Sequence, residues 1–259
     1  MIVIGLGSGR TGTASLAKLI DSQRNALCFH ELNPAGAVFE GNPQPLRNTI
    51  REFQAILQGG EKHLLAVDYT RPPSVKTYEK LKAMDKVEIL GDIAFYYLQY
   101  VEDLLQITHD IRFVCIRRDK NETVESWLEK SSIHRWKSLW VADRLKSAIV
   151  RTPFHKSHNY WQRHNGNTWA IDPVWDKTFP KFEATSKREA IEKYWEYYYA
   201  KAAELAASHP ENFRIFEITD MSTPDGQRRI LEFIGVTPEH MVVKDSFHEH
   251  KSGRKTASA

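Results

Sequence analysis

Cysteine is scarce: only Cys28 and Cys115 occur in 259 residues, which excludes a disulfide framework, and their spacing makes no zinc motif. Both fall in predicted strands and read as small core residues. Long hydrophobic runs are absent too, and nothing approaches the ~20 apolar residues of a membrane-spanning helix. The apolar start Met1 to Leu6 is short and has no basic stretch ahead of it, so it does not read as a secretory leader. Charge of one sign is in short supply. A formal net charge of +3 makes no electrostatic case for a nucleic acid or membrane partner. No internal repeat or low-complexity tract is visible. These absences predict residence in a reducing, cytoplasmic compartment and leave the oligomeric state open.

What the chain does contain is an alternation of short apolar runs with amphipathic segments. Ile2 to Gly5, Ala26 to Glu31, Leu64 to Tyr69, Val87 to Leu90, Phe113 to Ile116 and Phe213 to Ile218 read as strands. Thr13 to Gln23, Pro45 to Leu57, Ser74 to Met84, Ala94 to Ile107, a segment opening at Asn121, Thr185 to Ser208 and Asp225 to Phe233 read as helices. In the helix over 45–57, Leu46, Ile50, Phe53 and Leu57 recur every three or four residues, and Gly59-Gly60 stop it. In the helix over 185–208, Tyr194, Trp195 and Tyr197 to Tyr199 cover more than one face, which predicts contact on two sides. Strands alternating with helices imply an α/β fold, a parallel β-sheet flanked by helices on both faces. The length suits a single domain over 1–259 with a substantial core.

Two segments carry anion chemistry. Met1 to Leu16, MIVIGLGSGRTGTASL, runs from strand through glycine-rich turn to helix. Such a turn and the helix N-terminus behind it present backbone N–H groups to an anion. The G-x-x-x-x-G-K-[ST] template fits from Gly7 to Gly12 and then fails: Thr13 stands at the lysine position and Ala14 at that of the magnesium-binding hydroxyl. Arg10 is the nearest cation. In the second segment, Arg117 and Arg118 end the strand over 113–116, where open α/β sheets bind ligands, and Ser126 follows eight residues after Arg118 on the next helix. An arginine and a serine so placed converge on one phosphate group.

These residues resemble a known family. SGRTGTASL is similar to the 5′-phosphosulfate loop of sulfotransferases that use 3′-phosphoadenosine 5′-phosphosulfate (PAPS). The family pattern K/R-[ST]-G-T-[TS] falls on Arg10, Thr11, Gly12 and Thr13, with Ala14 departing from the usual hydroxyl. The family's 3′-phosphate motif, an arginine (often R-D-P) eight residues before a serine, is matched by Arg118-Asp119 and Ser126, with Lys120 in place of proline. Ile215 to Val236 resembles the family's late strand–acid–helix segment ending in F-L-G-V, here with Ile234 for leucine. The three motifs stand in the family's order. The resemblance implies a P-loop NTPase-like architecture and transfer of a sulfuryl group from PAPS, leaving 3′-phosphoadenosine 5′-phosphate (PAP).

Site roles follow from that resemblance. Ser8, Gly9, Arg10, Thr11, Gly12, Thr13 and Ala14 cradle the 5′ end of the nucleotide, and Arg118 and Ser126 the 3′-phosphate. Arg10 occupies the position of the family's catalytic lysine, beside the leaving oxygen. Lys251-Ser252-Gly253-Arg254, in a basic tail over about 246–259, loosely echoes a basic loop over the 3′-phosphate. An acceptor hydroxyl also needs a base at the carboxyl end of the sheet, and three side chains qualify: Glu31, Asp92 and His30. Alternation along a strand sets His30 and Glu31 on opposite faces, so one of the two reaches the cleft. An insertion over about 131–186 gathers Trp136, Trp140, Trp161, Trp169 and Trp175 with several histidines and cations, a set suited either to a glycan or anionic small-molecule acceptor or to packing the insertion itself. His155-x-x-His158 lacks the partners of a metal site, and no metal is expected. Two other classes stay open: a P-loop kinase of a nucleoside or small molecule, and a non-catalytic nucleotide- or glycan-binding relative.

Overall fold

The structure is a computed structural model that describes residues 1–32, 41–132, 149, 180, 182 and 184–245. Its centre is a five-stranded sheet in which all pairings are parallel. The strands are β1 (Ile2–Leu6), β2 (Ala26–His30), β3 (Ile89–Ile93), β4 (Ile111–Arg117) and β5 (Phe213–Glu217). Their spatial order is β2-β3-β1-β4-β5. The chain therefore builds one side of β1 and then crosses to the other. Ligands in such sheets bind where the order reverses, at the strands' carboxyl ends, which here means the exits of β1 and β4.

Side-chain alternation divides the interior in two. Ile2, Ile4 and Leu6 of β1 with Ile111, Phe113 and Cys115 of β4 face one core, while Val3 and Val114 with Ile116 face the other. The first core is closed by α2 (Gln44–Leu57), α3 (Pro72–Ala83), α4 (Val101–Leu105), α5 (Lys120–Ser132) and α6 (Lys187–Ser208). The second is closed by α1 (Thr13–Asp21) and α7 (Pro224–Phe233). Near-continuous apolar strands are what burial on both faces demands. Side-chain caps begin several of these helices, α6 and α7 among them. Ser186 Oγ accepts from the Glu189 N–H, and Thr223 Oγ1 from the Gly226 N–H, contacts worth about 1 kcal/mol each.

Three elements differ from the sequence expectation. Residues 64–69 form turns, not a strand: Asp68 Oδ1 takes the Thr70 N–H at 2.9 Å, a local bond that competes with strand pairing. Leu64 and Val67 of this stretch join the first core without pairing. The strand expected over 87–90 lies at Ile89–Ile93, because Gly91 and Asp92 are paired with both β1 and β2. Ala94 to Ile107 is not one helix but a 3₁₀ stretch, Phe95–Tyr100, leading into α4. Its Tyr96 and Tyr97 both turn their hydroxyls onto Asp92, at 3.3 and 2.8 Å, so a buried polar anchor overrides the helical period.

Candidate functional site

Gly7 to Gly12 links β1 to α1 in a compact loop. Gly9, Arg10 and Gly12 have left-handed backbones, with φ of 83°, 61° and 84°. Space adds to the requirement at Gly9, where a Cβ would lie 2.5 Å from the Trp127 ring; on Gly12 it would lie 2.8 Å from Met221 Cε, the movable end of a side chain. Arg10 adopts the same conformation without that freedom, at a cost of roughly 1–2 kcal/mol. Turns of this kind, with successive N–H groups on one side, form anion-binding concavities. Gly12 is also the N-cap of α1 and contributes no side-chain cap, so the helix presents its first amides and positive dipole end beside the loop.

The loop has an inner and an outer side. Ser8 and Thr11 are fully buried. The Thr11 hydroxyl lies beside the Tyr199 phenol but meets no partner at hydrogen-bond geometry. Gly9, Arg10, Gly12, Thr13 and Ala14 are half-exposed. Beneath the loop, the Gly7 N–H donates to Tyr198 Oη at 3.0 Å, and Tyr198 donates onward to the Phe95 carbonyl at 3.1 Å. Ser8 Oγ lies 3.5 Å from Tyr199 Oη, which donates to the Ile116 carbonyl at 2.8 Å. Burial pushes both phenols well above their ordinary range, so they serve as neutral hydrogen-bonding groups.

Arg10 joins this loop to the exit of β4. Its Nε donates to Ser126 Oγ at 3.0 Å, and its carbonyl accepts from Arg118 Nη1 at 3.2 Å. Arg118 is braced by Glu122, 2.9 Å from its Nε, and its carbonyl accepts from Trp195 Nε1 at 3.1 Å. The helix bearing Ser126 starts one residue before the expected Asn121, because Asp119 closes its first turn by accepting from the Glu122 N–H at 3.0 Å. Arg117, the other cation at this exit, is engaged with Glu217 of β5 at 2.8 Å.

A family model described as a sulfotransferase domain matches residues 2–242. The chain belongs to the sulfotransferase family. The matched span of this sulfotransferase takes in all five strands, the glycine loop and the Arg118/Ser126 pair. Among solved structures it is similar to a sulfotransferase from Alicyclobacillus acidocaldarius, at 13% identity over 96% of this chain and 86% of that one, with a TM-score of 0.47. It is also similar to the sulfotransferase domain from the curacin biosynthetic pathway, at 12% identity over 91% and 74% of the two chains, TM-score 0.43. No curated protein matches the chain.

The three candidate bases occupy different settings in the sulfotransferase. His30 ends β2 with Nε2 3.2 Å from Thr13 Oγ1, at the first turn of α1. Glu31 follows with φ of 59°. That left-handed residue breaks the strand alternation which would have set the two side chains on opposite faces. Arg71 donates to the Glu31 carbonyl, and its Nη2 lies 3.3 Å from Oε2. Asp92 is fully buried and accepts from the Tyr97 and Tyr96 hydroxyls and, at 3.3 Å, from the Leu32 N–H. Burial pushes its carboxyl above the ordinary value of 3.8, against the pull of Tyr97, His30 and the N–H groups of Leu32 and Ile93.

Sequence reasoning did not find Arg71, Trp127, Met221 or the roles of Trp195, Tyr198 and Tyr199. The run Tyr197 to Tyr199 was the available signal, since three large polar aromatics in a row must contact more than one surface. It also missed two glutamines that clamp the chain's late segment. Gln23 exchanges two hydrogen bonds of 2.8 Å with the backbone of Val242, and Gln227 two, of 2.7 and 2.9 Å, with that of Lys244. Gln227 also donates to the carbonyl of Met221, the residue against Gly12. Lys251, Arg254 and the tryptophans expected in the insertion lie outside the described residues. Among the described residues, no cluster of three or more His, Cys, Asp or Glu is placed to hold a metal, and no helix is long and apolar enough to cross a membrane.

Proposed function

We propose that this sulfotransferase moves a sulfuryl group from PAPS to a hydroxyl or amine of a small-molecule or glycan acceptor. The supporting observation is the double engagement of Arg10, whose guanidinium meets Ser126 while its carbonyl meets Arg118. The two anion motifs are thus neighbours at the point where the strand order reverses. The residues present fit an adenosine bisphosphate: one hollow of backbone amides and one arginine–serine pair, with Arg10 between. Thr11, by contrast, turns inward, so its contribution and that of Ser8 come from the backbone, whereas Thr13 is positioned to offer its hydroxyl.

When bound, PAPS supplies an activated sulfuryl group whose departure leaves negative charge on a phosphate oxygen. The chain's part is to hold that charge and to take the acceptor's proton. Arg10, a planar donor that stays charged throughout, stabilises an oxyanion without delivering a proton. Preorganised donors of this kind carry most of the barrier reduction in the related phosphoryl transfers. His30 is the base this arrangement favours, since its imidazole touches Thr13 at the loop, while Asp92 is sealed beneath three donors and Glu31 is shared with Arg71. The Gln23 and Gln227 clamps deliver the chain to Lys244 beside α7. By the family resemblance, Lys251 and Arg254 are assigned to the 3′-phosphate. With free Cys28 and Cys115 buried, a reducing cytoplasmic location suits the protein.

A thermal-shift comparison tests the donor. Saturation with PAP to a hundredfold over Kd stabilises the native state by about 2.7 kcal/mol, a rise in Tm of roughly 5–10 °C for a chain of this size. ADP, lacking the 3′-phosphate, is expected to shift Tm less. A larger shift with magnesium-ATP than with PAP would replace this reading with the kinase one, despite Thr13 at the lysine position.

A further inference from the structure

We infer that α6 is the part that fixes the spacing between the two phosphate sites, with Trp195, Tyr198 and Tyr199 as positioning residues; this rests on the reading of the ligand as an adenosine bisphosphate. The three side chains fall at i, i+3 and i+4, on one face of a helix. Their rings are in mutual contact: Trp195 and Tyr199 centroids are 4.7 Å apart, Tyr198 and Tyr199 5.4 Å. Each reaches a different piece of the crest of the sheet. Trp195 Nε1 donates to the carbonyl of Arg118 at the exit of β4. Tyr198 accepts from the Gly7 N–H of the loop after β1 and donates to the Phe95 carbonyl beyond β3. Tyr199 stands between Ser8 of the loop and Ile116 of β4.

Gly7 carries no side chain, and its amide is committed downward to Tyr198, so the height of the loop over the sheet is set by a phenol. The carbonyl of Arg118 is gripped by an indole from the same helix, one turn away. A 22-residue helix with a Ser186 cap therefore bears on both the loop after β1 and the exit of β4. The buried tyrosines are hydrogen-bonded on both sides, which is why phenol, and not phenylalanine, is needed there: removing the Tyr198 hydroxyl deletes its bonds to the Gly7 N–H and to the Phe95 carbonyl together.

The test uses the full chain and three probes: PAP, adenosine 5′-monophosphate and adenosine 3′-monophosphate. Affinities are measured by calorimetry or competition well below each variant's Tm. Trp195→Phe is expected to weaken PAP about fivefold, the effect of one lost hydrogen bond, with the 5′-monophosphate unchanged. Tyr198→Phe is expected to weaken PAP and the 5′-monophosphate by about tenfold, with the 3′-monophosphate unchanged. This split by phosphate position is what a purely structural role would not produce. If the variants lose Tm yet bind all three probes as the parent does, or lose all three alike, the positioning role is wrong. Should Tyr198→Phe fail to fold, Trp195→Phe and Tyr199→Phe decide the question by the same split. Failure of the parent chain itself to bind PAP overturns the ligand reading, a result distinct from equal binding by parent and variants.

Discussion

Replacing Arg10 by glycine separates chemistry from stability. Arg10 has φ of 61°, and glycine adopts that backbone freely, relieving roughly 1–2 kcal/mol of strain. Against this stands the bond from Nε to Ser126, 3.0 Å long and partly buried, worth about 1.5 kcal/mol at the low end for a charged donor. The Arg118 contact to the residue 10 carbonyl survives, because it uses backbone. The two effects nearly cancel, so Tm is expected to stay within about 4 °C of the parent. Turnover is not protected in the same way. Loss of one preorganised donor to a developing oxyanion costs about 2.7–4 kcal/mol, or a hundred- to thousandfold in kcat. The assay is steady-state transfer under saturating PAPS with any acceptor the parent accepts, beside a melting curve for each protein. Arg10→Lys, which restores charge without the planar fork, should recover part of the rate. A glycine variant that turns over at near-parental rate would remove Arg10 from the mechanism, and one that unfolds would refute the cancellation.

The base assignment predicts that His30→Gln loses turnover at least a hundredfold while keeping PAP affinity, whereas Glu31→Gln retains most of it; the reverse order would move the base to Glu31. Asp92 yields a stability prediction with a definite sign. Its carboxyl is raised in the folded chain, so the unfolded state releases the proton first, and native stability falls as pH rises from about the unfolded value of 3.8 through the folded one. Asp92→Asn removes that dependence. The stability of the variant relative to the parent, from urea unfolding at stepped pH, should therefore improve as pH increases across that window. A difference that is flat with pH would show that Asp92 titrates alike in both states.

Much of the site was legible in the chain because its motifs are local. A glycine turn between an apolar run and a helical pattern, and an arginine eight residues before a serine, are patterns of backbone conformation and short spacing, which neighbouring residues dictate. The alternation of strand and helix likewise follows from local hydrophobic period, and it gave the parallel sheet and its helices. Tertiary structure decided what depends on residues far apart in sequence. Ser8 and Thr11 are buried while Thr13 is half-exposed, and the contact that fixes Ser8 comes from Tyr199, about 190 positions later. Asp92 reads as a strand-end carboxylate open to chemistry until Tyr96, Tyr97 and Leu32 close over it. Residues 64–69 have a strand's composition, but Leu64 and Val67 enter the first core without pairing to an edge strand. Local preference sets what a segment can become, while the free energy of satisfying buried hydrogen-bonding groups sets which of those outcomes the folded chain adopts.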